Sequence, residues 1–180
     1  MRILAILGSL RRESYNRQLL GQAAALLPTG AELIEWDGLR AVPPFSEDDE
    51  QDPGAAVLAL RSAIAAADAV LVVTPEYNAS IPGQLKNALD WASRPFPDNV
   101  LRDKLVAVIG ATPSPGGTAR SQADLRKVLV AIGARLLDAE VQVPHAYQQF
   151  DPAGQLVDDA LRRRLELLLG EVTARGTEAA

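Results

Sequence analysis

The stretch "AVLVVTPEYNASIPGQLKNALDW", residues 69–91, changes grammar twice. Ala69–Val73 is an uninterrupted apolar run of strand length, as a strand covered on both faces requires. Ile81–Ala92 then carries Ile81, Leu85, Ala88, Leu89 and Ala92 at helical spacing. Between the two stand Pro75, Glu76, Tyr77 and Asn78, although a glycine and a capping residue are enough to turn a chain. Open α/β sheets bind ligands in the crevice outside the carboxyl ends of their strands. This strand–loop–helix unit therefore predicts both a fold and the place to look for a site.

The same alternation continues on either side. Apolar runs of strand length fall at Ile3–Leu7, Ala31–Glu35, Leu105–Ile109 and Arg135–Val143. Helical periodicity fills Tyr15–Leu27, Pro53–Ala67, Arg120–Ile132 and Gly154–Leu169, the last with Val157, Leu161, Leu165 and Leu168 on one stripe. Five strand–helix alternations predict a parallel sheet with helices on both faces. The long polar connection Gly38–Asp52, "GLRAVPPFSEDDEQD", reads either as a functional loop or as a solvated acidic one. Residues 1–172 are expected to form one domain, with Thr173–Ala180 a frayed tail. Trp36 and Trp91 read as packing residues, Trp91 being also a candidate contact between subunits.

Composition narrows the function. Hydrophobic residues make up 48% of the 180, enough for a sizeable core and too many for global disorder. The net charge of −5 argues against a nucleic-acid partner, which calls for a basic face. With no cysteine, disulfides, thiolate nucleophiles and cysteine-ligated metal or Fe–S sites all drop out, and no metal ligand set is evident. The N-terminal apolar run of about six residues is too short for a secretory core, and no window approaches the roughly 18 of a membrane span. A soluble, cytoplasmic protein without a membrane partner is expected.

The first strand leads into "GSLRRESYNRQLL", residues 8–20. Ser9, Arg11, Ser14 and Asn16 place two hydroxyls, a guanidinium and an amide around a helix start, whose free amides attract anions. The plainer alternative is Ser14 as an ordinary N-cap with Arg11 and Arg12 solvated. No Gly-Lys-Ser/Thr follows the strand, and after Gly8 the next glycine is Gly21, inside the helix. A nucleotide P-loop and a dinucleotide fingerprint are thereby both missing. What remains is a phosphomonoester held by hydroxyls and arginines. The fourth strand leads into "ATPSPGGTAR", residues 111–120, where Ser114 is a donor and Gly116 and Gly117 allow close backbone approach. Each loop alone reads as a turn; three at the ends of strands one, three and four point to a flat, phosphate-bearing ligand.

The pattern G-S-x-R-x-x-S-x-N at Gly8–Asn16, P-E-Y-N at Pro75–Asn78 with its helix "SIPGQLKNALDW", and Pro115–Gly117 resemble the NADPH-dependent FMN reductase family, the group with chromate and quinone reductases. The resemblance implies a flavodoxin-like three-layer α/β sandwich around a five-stranded parallel sheet of order 2-1-3-4-5. It implies FMN across the strand ends, with Ser9, Arg11, Ser14, Tyr15 and Asn16 at the phosphate. Pro75, Glu76, Tyr77 and Asn78 would run along the isoalloxazine, and Ser114 and Gly117 would close the other side. The implied activity is hydride transfer from NAD(P)H through FMN to quinones or similar small acceptors (flavins, nitro or azo compounds, chromate). The flavin carries that chemistry, so no catalytic side chain is named, and His145 reads as a surface or subunit-contact residue. A flavodoxin-type electron carrier, disfavoured by Arg11 and Arg12, and a flavin-binding sensor are the alternatives. A homodimer or homotetramer is expected.

Overall fold

The computed structural model describes residues 1–177. Strands β1 (Arg2–Leu7), β2 (Glu32–Trp36), β3 (Ala69–Val73), β4 (Leu105–Ala111) and β5 (Arg135–Val143) form one sheet in the order β2-β1-β3-β4-β5. Every neighbouring pair is parallel, as the resemblance implied. Six helices connect and cover the strands: α1 (Tyr15–Ala25), α2 (Ala55–Ala65), α3 (Gly83–Ala92), α4 (Ala119–Ile132), α5 (Ala146–Gln149) and α6 (Asp159–Thr177). Side chains alternate across a strand, and the core divides accordingly. Ile3, Ala5, Leu71 and Ala107 pack beneath α1 and α6, whereas Leu4, Ile6, Val70 and Val108 pack beneath α2, α3 and α4.

The element ends depart from expectation for local reasons. Helix α1 stops at Ala25 rather than Leu27, because Pro28 disfavours helical geometry in the residue before it. Pro82 is not in the first turn of α3 but its N-cap, at φ −56° and ψ 137°. The last helix begins at Asp159, not Gly154. Upstream, the Asp151 carboxylate accepts from the amides of Ala153 and Gln155 and holds a turn (2.8 and 2.9 Å). Asp158 then caps the amides of Ala160 and Leu161. Val157 thus lies before the helix and is 58% exposed, not part of its buried stripe. At the other end α6 continues through Thr177 and buries Val172. The rest of the expected tail, 178–180, lies outside the described residues.

The connection 38–52 keeps Glu47, Asp48, Asp49 and Asp52 in solvent, as an acidic loop does, but its backbone is tied down. It runs through 3₁₀ turns at Gly38–Ala41 and Glu47–Asp49 and is strapped to one face of α3. Gln84 Nε2 donates to the carbonyls of Leu39 and Val42 (2.8 and 2.9 Å). Asn87 clamps both sides of the next peptides: its Oδ1 accepts from the Phe45 amide (2.7 Å) and its Nδ2 donates to Pro43 O (2.8 Å). Trp91 Nε1 also donates to Pro43 O (2.9 Å), and the Phe45 ring meets Trp91 edge-on at 4.9 Å. One turn further, Arg94 pairs with Glu47 and Glu50 and lies over the Phe45 ring. Trp91 is 0% exposed. Its apolar face is consumed within its own chain, which corrects the expectation that it offers a contact to a second subunit.

Asn87→Ala is expected to lower the free energy of unfolding by about 1–3 kcal/mol, since it removes two hydrogen bonds from the strap. Limited proteolysis should then cut within 38–52 before the rest of the chain. An unchanged denaturation midpoint and cleavage pattern would show that the strap does not depend on this clamp.

Candidate functional site

The loops after β1, β3 and β4 meet in a cleft of about 230 Å³ at the carboxyl ends of the strands. Ser9, Arg11, Ser14, Tyr15 and Asn16 line one side, Pro75, Glu76 and Tyr77 another, and Ala111, Thr112 and Pro113 the third. Eight of the eleven residues singled out from the sequence are therefore brought together. Asn78, Ser114 and Gly117 are not among the lining residues.

The loop after β1 is held by its own side chains. Ser14 is the N-cap of α1, its Oγ accepting from the Asn16 amide (3.2 Å). The plainer reading of Ser14 is thus correct as to its cap, and the same residue also lines the cleft. Asn16 is 2% exposed, and its side chain is fully engaged. Nδ2 donates to Ala111 O (2.8 Å) and Oδ1 accepts from Ala111 N (2.9 Å). Asn16 therefore fixes the loop after β1 to the end of β4 and spends its amide on protein. Arg11 has no carboxylate partner among the described residues; its guanidinium lies 5.7 Å from the centroid of the Tyr15 ring, which itself stacks on Phe150.

The loop after β3 is fastened through Glu76. Its carboxylate, only 6% exposed, accepts from the amides of Arg120 and Ser121 (3.1 and 3.3 Å) and pairs with the Arg120 guanidinium (2.6 Å). Thr118, the N-cap of α4, makes no side-chain cap bond. Glu76 supplies that cap from another loop, with its negative charge at the positive helix end. The Glu76 carboxylate is thereby committed, leaving its backbone to face the cleft. Tyr77 and Ser80 exchange both backbone hydrogen bonds (2.9 and 3.0 Å), with Asn78 and Ala79 at φ 50° and 66°. Two positive φ values make this a type I′ turn. Asn78 is a turn residue at the exposed tip of this loop. On α4, hydrogen bonding from Ser80 and then Lys127 holds the Asp124 carboxyl below its usual range.

The loop after β4 departs most from expectation. The strand runs to Ala111, two residues past the predicted end, so the residues that reach the cleft are Ala111–Pro113. The chain then turns toward β5. The His145 amide donates to Ser114 O (3.2 Å), and Gly117, at φ 61°, faces Gln142 and Pro144. Ser114 and Gly117 thus sit in the turn toward β5, beyond the residues that line the cleft. A better signal was available: residues directly beyond an apolar strand face the crevice, and a glycine pair marks where the chain leaves it. Gly110 was also missed. A Cβ there would overlap the Thr74 carbonyl and Thr118 Oγ1, so only glycine lets β4 pass the start of the β3 loop. His145 opens α5 with a left-handed backbone, its ring edge-on to Tyr147, outside the cleft lining.

The donors fit a phosphomonoester that carries a flat ring. Two hydroxyls, an unpaired guanidinium and the N-terminus of α1 gather on one side. Pro75, Ala111 and Pro113 supply apolar walls on the other.

The family model described as NADPH-dependent FMN reductase matches residues 1–148. A 2-hydroxy-1,4-benzoquinone reductase of a Burkholderia species is 37% identical over 175 residues, covering 97% of this chain and 95% of the relative. A NAD(P)H-dependent FMN reductase of Pseudomonas aeruginosa is 42% identical over 170 residues, covering 92% and 90%. Among solved structures, the flavoenzyme NAD(P)H:acceptor oxidoreductase FerB from Paracoccus denitrificans superposes with a TM-score of 0.85 at 31% identity, covering 98% of this chain and 97% of that one.

Two substitutions should move stability in opposite directions. Asn16→Ala strands both polar groups of Ala111 and is expected to cost about 2–5 kcal/mol. Ala79→Gly relieves a left-handed alanine and should add about 0.5–1 kcal/mol. Chemical denaturation of both variants checks the pair; a neutral Asn16→Ala would mean the loop is held by something else.

Proposed function

We propose a function from one premise: the chain belongs to the NADPH-dependent FMN reductase family. In that reading it is an NAD(P)H-dependent oxidoreductase that binds FMN in the cleft between the loops after β1, β3 and β4 and reduces quinones or similar small acceptors. The observation that carries the reading is the joint placement of Ser9, Arg11 and Ser14 at the α1 N-terminus opposite the Pro75–Tyr77 wall. FMN, when bound, supplies two-electron exchange between a nicotinamide and an acceptor.

The chain's own residues then have distinct tasks. Ser9, Ser14 and Arg11 bind the phosphate, with Arg11 steadied over Tyr15. Asn16 and Glu76 lock the two flanking loops to β4 and α4, so the walls are set before any ligand enters. Pro75 and Glu76 present backbone to the ring edge, and the half-exposed Tyr77 stands at the mouth. Acceptors as different as quinones and flavins need only reach an open ring face, so a narrow substrate pocket is not part of the design. A homo-oligomer belongs to the same proposal, supported by the exposed aromatics Tyr77, Phe96 and Tyr147.

Purified protein is expected to retain about one FMN per chain and to oxidise NAD(P)H much faster when a benzoquinone is supplied. Arg11→Ala should weaken FMN binding by about 1.5–3 kcal/mol, the range for a hydrogen bond to a charged group. Fluorescence-quenching titration reads this directly. Wild-type affinity in that variant, or absent quinone-dependent oxidation with FMN bound, would sink the assignment.

A further inference from the structure

The loop 9–12 has a second side. There, toward β2, lies a separate cleft of about 250 Å³ that shares Ser9 and Arg11 with the first. Arg12, Arg17 and Arg40 join Arg11 in its lining, so four guanidinium groups face two carboxylates, Glu35 and Asp37. Arg17 is already paired with Glu35 at 2.9 Å. Arg40 gives one N–H to Leu10 O (3.1 Å), and neither Arg11 nor Arg12 has a carboxylate partner among the described residues. A local excess of positive charge in a chain of net charge −5 is costly without an anion to face it.

Trp36 and Leu39 give this basin an apolar wall, and Asp37 stands just beyond the end of β2. A bare phosphate would use the arginines but neither the wall nor the acid. A nucleoside phosphate uses all three: base on the apolar wall, ribose hydroxyl to carboxylate, phosphate to guanidinium. Beyond the second strand, dinucleotide-binding α/β folds use an acid for a free ribose 2′-OH and an arginine for a 2′-phosphate; here Arg12 and Arg40 outnumber Asp37.

Sheet order places the basin beside the proposed FMN cleft. The proposed FMN cleft covers the ends of β1, β3 and β4, and this basin covers β2 and β1. Strands lie about 4.8 Å apart, so the basin sits only a few strand spacings from the ring-facing walls. An extended dinucleotide with its nicotinamide at those walls can run back over the loop 9–12 and end in the basin. We propose that this second cleft receives the adenosine 2′-phosphate end of NADPH, with Arg12 and Arg40 reading the phosphate. The proposal rests on the FMN reading for the direction of the dinucleotide, though the anion site stands on its own residues.

The test uses adenosine 2′,5′-bisphosphate and 5′-ADP as probes in calorimetric titrations of the full chain, with FMN titrated in parallel. The wild type should bind the 2′,5′-bisphosphate at least 10-fold more tightly than 5′-ADP. Arg12→Ala and Arg40→Ala should each lose about 10-fold or more of that affinity while FMN binding stays at the wild-type level, which also reports a folded protein. In turnover, the same variants should raise KM for NADPH and leave KM for NADH unchanged. Equal affinity for the two probes, or variants that bind the 2′,5′-bisphosphate as the wild type does, would overturn the proposal. If FMN fails to bind while the bisphosphate does, the FMN reading falls and the anion site stands. FMN binding with no preference for the 2′-phosphate has the opposite meaning.

Discussion

One buried amide sets the geometry of the cleft. Asn16, in the first turn of α1, bonds both the N–H and the C=O of Ala111 at the end of β4, 95 residues away. Strand β3 lies between β1 and β4 in the sheet, so the bridge spans the strand whose loop forms the middle wall. Neither partner is left free, and a buried polar group with half its bonds is worse than none. The loop after β1 can thus take few positions relative to β4. Glu76 repeats the device on the next loop, lending α4 the cap that Thr118 does not provide. The walls are built by loops that complete one another's hydrogen bonding.

The face of α3 shows the same economy on the other side of the sheet. Gln84, Asn87 and Trp91 recur at helical spacing, and all three spend their side-chain polar atoms on the backbone of 38–52. A connection with no regular strand or long helix of its own has orphan carbonyls and amides, which must find partners when packed down. The helix supplies them. The backbone of 39–45 is thus held down while the acidic side chains that follow stay in solvent. Glu47 and Glu50 meet Arg94 at the end of the same face, and the apolar Leu39 and Val42 enter the core beneath.

The strand runs and helix stripes were legible because burial on both faces leaves a chain little choice of residue. Ala69–Val73 was read to the residue, and the last strand was placed near Arg135–Val143, where it lies. What escaped was what side chains do to backbone far away in sequence. Asn16 and Glu76 look in sequence like ligand contacts, since an amide and an acid at a strand end have that chemistry; their partners, Ala111 and Arg120, are distant and unremarkable. Trp91 looked like surplus apolar girth because its cover, Phe45 and Pro43, lies in a segment that reads as polar. Val157 fitted a helical stripe by count, but the Asp151 turn delays the helix start past it. Periodicity reports which face is apolar, not where a side-chain cap starts the helix.

The charge pattern follows from the same division of labour. Glu76 is matched to Arg120 and Glu35 to Arg17, while Glu47 and Glu50 share Arg94. Two acids near the strand ends, Glu35 and Glu76, are thus neutralised by protein, while Arg11 and Arg12 are left without carboxylate partners among the described residues. An acidic chain consequently presents a positive rim where its parallel strands end, even though its net charge would repel an anion. At physiological ionic strength charges more than about 8 Å away are screened, so the remote acidic surface weighs little against a guanidinium at the cleft. The local residues decide what the strand ends attract, and around the loop that follows β1 those residues are arginines and hydroxyls.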